Sequence, residues 1–87
     1  MHGAPRGRLE AEGRRFEVVM ASDVVRDGMA LELTDLGEEP GSGPALEIFR
    51  SDVDNTFTFS AHRAVAVPLE ILSRFVDTAM RKLPPSA

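Results

Sequence analysis

The chain has no cysteine, no tryptophan and no tyrosine, and five phenylalanines are its only aromatic residues. Without cysteine there can be no disulfide, no thiolate nucleophile and no thiolate metal site. His2 and His62 are the only imidazoles, too few for a histidine-built metal centre, so neither a metal nor another cofactor is expected. Lysine is nearly missing as well, with Lys82 alone against nine arginines. No apolar run approaches the ~20 residues of a membrane-spanning helix. Met1-His2-Gly3-Ala4-Pro5-Arg6 lacks the apolar segment of a secretory signal. These absences set the expectation of a soluble cytoplasmic protein without a membrane partner.

With disulfides and metals set aside, 87 residues must be held by one small core. A chain of this size buries only about 60% of its unfolded surface. Small domains in that position commonly gain from association, so a homodimer is expected, with a protein partner as the other use of an exposed surface. Charge narrows the partners further. Residues 1–15 carry four arginines and two glutamates, a net of +2, whereas residues 16–87 carry six basic and twelve acidic side chains, a net of −6. An acidic body repels phosphate at long range and disfavours nucleic acid.

Residues 1–14, with three glycines, one proline and mixed charge, read as a flexible tail, and deleting residues 1–13 should leave the thermal midpoint nearly unchanged. Residues 15–87 then form a single domain. Phe16, Val18, Met20 and Val24 follow period two and mark a half-buried strand. Arg26-Asp27-Gly28 brings the Asp-Gly pair of a tight hairpin, in which both central residues take positive φ. Met29, Leu31 and Leu33 line one side of a second strand. After the Gly/Pro-rich loop 37–44 comes a third, with Leu46 and Ile48 on one face and Glu47 and Phe49 on the other. Ser51-Asp52-Val53-Asp54-Asn55 is turn chemistry, and Phe57, Phe59 and Ala61 are the core face of a fourth strand.

A helix is expected over residues 68–83, opened by Pro68 and stopped by Pro84-Pro85. Leu69, Leu72, Phe75, Val76, Ala79, Met80 and Leu83 fall within about 140° of its circumference. Leu72, Val76, Ala79 and Leu83 are expected to be buried. Glu70 precedes Arg74, and Asp77 precedes Arg81, by four residues, the favourable order for such pairs. The fold class is therefore α+β: a four-stranded antiparallel meander followed by one C-terminal helix packed on one sheet face. One helix, ~10 Å across, leaves the opposite face bare. Phe49, Val19, Ala21 and Val25 on that face are the expected interface, with Phe49 as its anchor.

No catalytic constellation emerges. Ser60 and His62 share a strand face about 7 Å apart, too far for a nucleophile–base hydrogen bond. Asp52-Val53-Asp54-Asn55 opens like a calcium loop, but Phe57 and Arg63 stand where that loop needs Gly and Glu. Gly37, Gly41 and Gly43 lack phosphate-loop spacing and lie beside Glu38 and Glu39. The domain is expected not to be an enzyme.

The run Leu46-Glu47-Ile48-Phe49-Arg50-Ser51-Asp52, followed by Phe57-Thr58-Phe59 and Val67-Pro68-Leu69-Glu70-Ile71-Leu72, resembles a group of small uncharacterised bacterial proteins over roughly residues 16–83. Its four-strands-then-helix order is similar in topology to the repeat unit of Pur, Whirly and PC4-type single-strand nucleic-acid binders. That likeness implies an alternative function, single-stranded nucleic-acid binding by Arg26, Arg50, Arg63 and the arginine tail. It requires those arginines to converge on one sheet face.

Overall fold

A computed structural model describes residues 6–83. Five strands, β1 (Arg6–Ala11), β2 (Arg14–Asp23), β3 (Gly28–Asp35), β4 (Leu46–Ser51) and β5 (Phe57–Ala61), precede one helix, α1 (Leu69–Lys82). The strands pair antiparallel with their neighbours in sequence, giving the spatial order β1-β2-β3-β4-β5. The architecture is α+β as expected, with one strand more. Among the described residues, no helix is long and apolar enough to cross a membrane.

The additional strand comes from the segment read as a tail, which corrects the domain boundary at residue 15. Residues 1–5 of that segment lie outside the described residues. Arg6, Arg8 and Glu10 alternate with Gly7, Leu9 and Ala11, a period-two pattern carrying a single large apolar side chain. Glu12 and Gly13, at φ 55° and 76°, make the two-residue turn into β2, the geometry that matches strand twist. Leu9 then lies opposite Phe16 and is buried with it.

β2 ends at Asp23, and Val24 does not continue it: Val24 and Val25 occupy the next turn, 88% and 95% exposed. That turn departs from the expected two-residue form. Four residues separate Asp23 from its partner Gly28, and only Asp27 has positive φ, at 59°. The Asp23 carboxylate closes the turn by accepting the Arg26 N–H at 2.9 Å. Gly28 is required for space. A Cβ there would stand 2.2 Å from the Arg50 carbonyl oxygen and 2.5 Å from the Phe49 ring.

The core lies between α1 and the sheet face bearing Leu9, Phe16, Val18, Leu31, Leu33, Leu46 and Ile48. α1 follows Pro68, which stands just outside it in extended conformation (φ −53°, ψ 137°), and closes with the Leu83 N–H on the Ala79 carbonyl at 2.8 Å. Glu70–Arg74 and Asp77–Arg81 pair at 3.8 and 3.2 Å.

The buried seam of the helix is Ile71, Phe75, Ala79 and Leu83. Ala79 and Leu83 match expectation, Leu72 is only half-buried, and Val76 is 42% exposed. The cause is geometric. Adding Ile71 widens the apolar arc to about 180° at 100° per residue, more than one flat contact can cover. β1 also widens the sheet on its N-terminal side, and α1 packs closest to that strand. The Ile71 edge of the arc therefore enters the core and the Val76–Met80 edge does not.

Candidate interaction surface

The face opposite the helix is assembled by register. Val19 pairs with Glu32, Ala21 with Ala30, Ala30 with Phe49, and Phe49 with Thr58. Val19, Ala21 and Phe49 thus share one face, while Val25 sits at the turn tip. Phe49 is not an open anchor, however: it is 9% exposed. The Arg26 guanidinium lies over its ring, 4.2 Å from the centroid, and Gly28 leaves room beneath. Arg26 is fixed there by Asp23 and Glu47, each at 2.5 Å. Two hydrogen bonds from Arg26, first from its backbone N–H and then from its side chain, hold the Asp23 carboxyl below its ordinary range. Glu47, 4% exposed, also faces His62 Nε2 at 3.6 Å. A guanidinium held by two carboxylates thus covers the aromatic ring that looked bare in the sequence.

The three candidate arginines do not converge. Arg26 covers Phe49 on the face opposite α1. Arg50 pairs across the sheet with Met29 and Phe57, on the helix side, and bonds Asp52 at 2.6 Å. Arg63, beyond β5, clamps the loop between β3 and β4 through Glu38 and the carbonyls of Ser42, Gly43 and Pro44. Arg14, from the presumed tail, lies over Phe16 and bonds Asp35 at 2.7 Å and the Ala66 carbonyl at 2.5 Å. Burial alone would push Asp35 up, but the Gly37 N–H and Arg14 outweigh it and hold this carboxyl below its ordinary range. All four guanidiniums hold the fold together.

An open apolar groove lies on the helix side. Ile48, Phe57 and Phe59 from the sheet and Leu72, Val76 and Met80 from α1 border a groove of about 300 Å³. Phe59, expected in the core, is 53% exposed, and Met80 is 58% exposed. Phe57 and Phe59 do point to the helix side, since Ile48 pairs with Phe59 and Arg50 with Phe57, but Phe57 is only half-buried against the core and α1 does not reach far enough to cover Phe59. The sequence carried a signal for this groove. An apolar arc of about 180° on a lone helix exceeds what one sheet needs, so the excess has to face something else. Compared with protein-family models, curated proteins and solved structures, the chain matches none.

Proposed function

We propose that this domain is a non-catalytic protein-interaction module that assembles as a homodimer through the groove between β5 and α1. One observation carries the reading: Phe59, Val76 and Met80, all substantially exposed, converge on a single apolar groove at an open sheet edge. Each large side chain withdrawn from water contributes about 1.5–3 kcal/mol, so covering this groove enlarges a small core at the β5 edge. The opposite face offers less, because Arg26 already covers Phe49. A cytoplasmic setting suits a chain without disulfides. Single-stranded nucleic-acid binding has weaker support, since Arg26, Arg50 and Arg63 are dispersed over the fold and engaged with acidic partners.

Sedimentation at micromolar concentration tests the proposal. The wild type should run as a dimer of the 9.5 kDa chain. Met80→Asp, which changes an exposed residue and spares the core, should run as a folded monomer. A monomeric wild type at high micromolar concentration, or a Met80→Asp variant that stays dimeric, would refute it.

A further inference from the structure

The sheet has two edges, and they differ. β1 carries Arg8 and Glu10, charges of the kind that keep an edge from pairing with another chain. β5 carries none: Asn55 through Ala61 contain no charge, no proline and no glycine. Its outward-facing backbone groups can be assigned. The Ser51 N–H donates to the Thr56 carbonyl at 2.9 Å, and the His62 N–H to the Ala45 carbonyl at 2.8 Å. Antiparallel pairing alternates, so Thr56, Thr58, Ser60 and His62 turn their backbone groups toward β4. Phe57, Phe59 and Ala61 turn theirs to the open edge.

We infer that the occupant of this edge is β5 of a second copy, running antiparallel, with Phe59 opposite the second copy's Phe59 and Phe57 opposite its Ala61. This rests on the homodimer reading and specifies how the two copies meet. It is the register that pairs all five residues of both strands through the outward-facing backbone groups. It keeps Phe57 and Phe59 of both copies on the helix side, as a shared floor between the two Val76–Met80 walls.

Charge supports the antiparallel sense. Asp52 and Asp54 flank one end of β5, while His62 and Arg63 flank the other. The register sets Asn55 opposite the second copy's Arg63 and brings the Asp54 end of each strand to the Arg63 end of the other, with Asp52 held by Arg50 and Arg63 by Glu38 inside each copy, an arrangement that bears on orientation more than affinity. Area supports the groove's participation. An interface of ordinary size takes about 800 Å² from each partner, and a strand about 17 Å long falls short of that alone. Phe59, Val76 and Met80, at 53%, 42% and 58% exposure, extend the contact along the groove.

The natural absence of cysteine allows a direct test. In this register Thr58 lies opposite the second copy's Ser60 as a non-hydrogen-bonded pair, with Cα atoms about 4.5 Å apart, within disulfide range. Thr58→Cys and Ser60→Cys are made separately, co-refolded as an equal mixture and oxidised mildly. The mixture should give a covalent dimer holding up to about half of the chains, the heterodimer share of random pairing, and neither variant alone should give one. Cross-linking of either variant by itself would mean another register and overturn the inference. A wild type that sediments as a dimer while the mixture stays uncross-linked would also overturn it and leave the groove as interface. A monomeric wild type would remove both readings.

Discussion

Replacing Leu9 tests whether the N-terminal segment is structure or tail. Leu9 is 9% exposed, stands opposite the fully buried Phe16 and belongs to the cluster that includes Phe75 and Leu83. Truncating a buried leucine to alanine costs about 2–5 kcal/mol, more where the cavity cannot collapse. An edge strand can shift, so the lower half of that range applies, about 2–3 kcal/mol. A domain of this length has about 4–13 kcal/mol in all, so Leu9→Ala removes a large share of it. It should lower the thermal midpoint by roughly 10–20 °C, at about 4–8 °C per kcal/mol for a domain this small. The control is its exposed neighbour: Arg8→Ala should stay within about 0.5 kcal/mol of wild type. Urea titration of the three proteins at one fixed concentration gives the comparison and removes any mass-action difference between dimers. If Leu9→Ala and Arg8→Ala both match wild type, β1 is not part of the stable fold and the five-stranded sheet is wrong.

Gly28→Ala should destabilise by about 1–3 kcal/mol or more through overpacking, although Gly28 has no positive φ. Gly13→Ala, strained in φ at +76° but with nothing near its Cβ, should cost only about 1–2 kcal/mol, and chemical denaturation giving the opposite order would contradict the Phe49–Gly28 contact. Asp35 has a lowered folded-state pKa, so its contribution is present above the unfolded value of about 3.9 and is lost as pH falls through the folded value. Asp35→Asn should therefore be less stable than wild type at pH 7, with the gap narrowing as pH falls below the ordinary carboxylate value of about 3.9; a gap independent of pH in urea titrations would rule this out.

Much of the architecture was legible because local signals agreed with one another. Phe16-Val18-Met20 and Met29-Leu31-Leu33 alternate cleanly, and the helix has punctuation, charge order and apolar periodicity all pointing the same way. β1 was illegible because Leu9 is its one large apolar residue; its order comes from β2 beside it and α1 above it, which no local window contains. The same missing strand shifted the buried seam of the helix. With β1 in the sheet, α1 packs closest to that strand, so Ile71 is buried, Leu72 half-buried and Val76 exposed. The face of Phe49 was read correctly and its exposure was not, because the side chain that covers it, Arg26, comes from a turn 23 residues earlier. The groove beside β5 follows from these same long-range placements.

The order of elements also sets a timetable for synthesis. Each strand pairs with the one before it, so a growing chain can assemble its sheet as it emerges. The face bearing Phe16, Leu31 and Leu33 cannot be covered until Ile71, Phe75 and Leu83 have been made. At about 5–20 residues per second, the ribosome needs roughly 2–10 s to travel from the end of β3 to the end of α1. Throughout that interval the nascent sheet presents an apolar face to its surroundings. For this fold, the moment of greatest exposure to chaperones and to neighbouring chains is fixed by the position of α1.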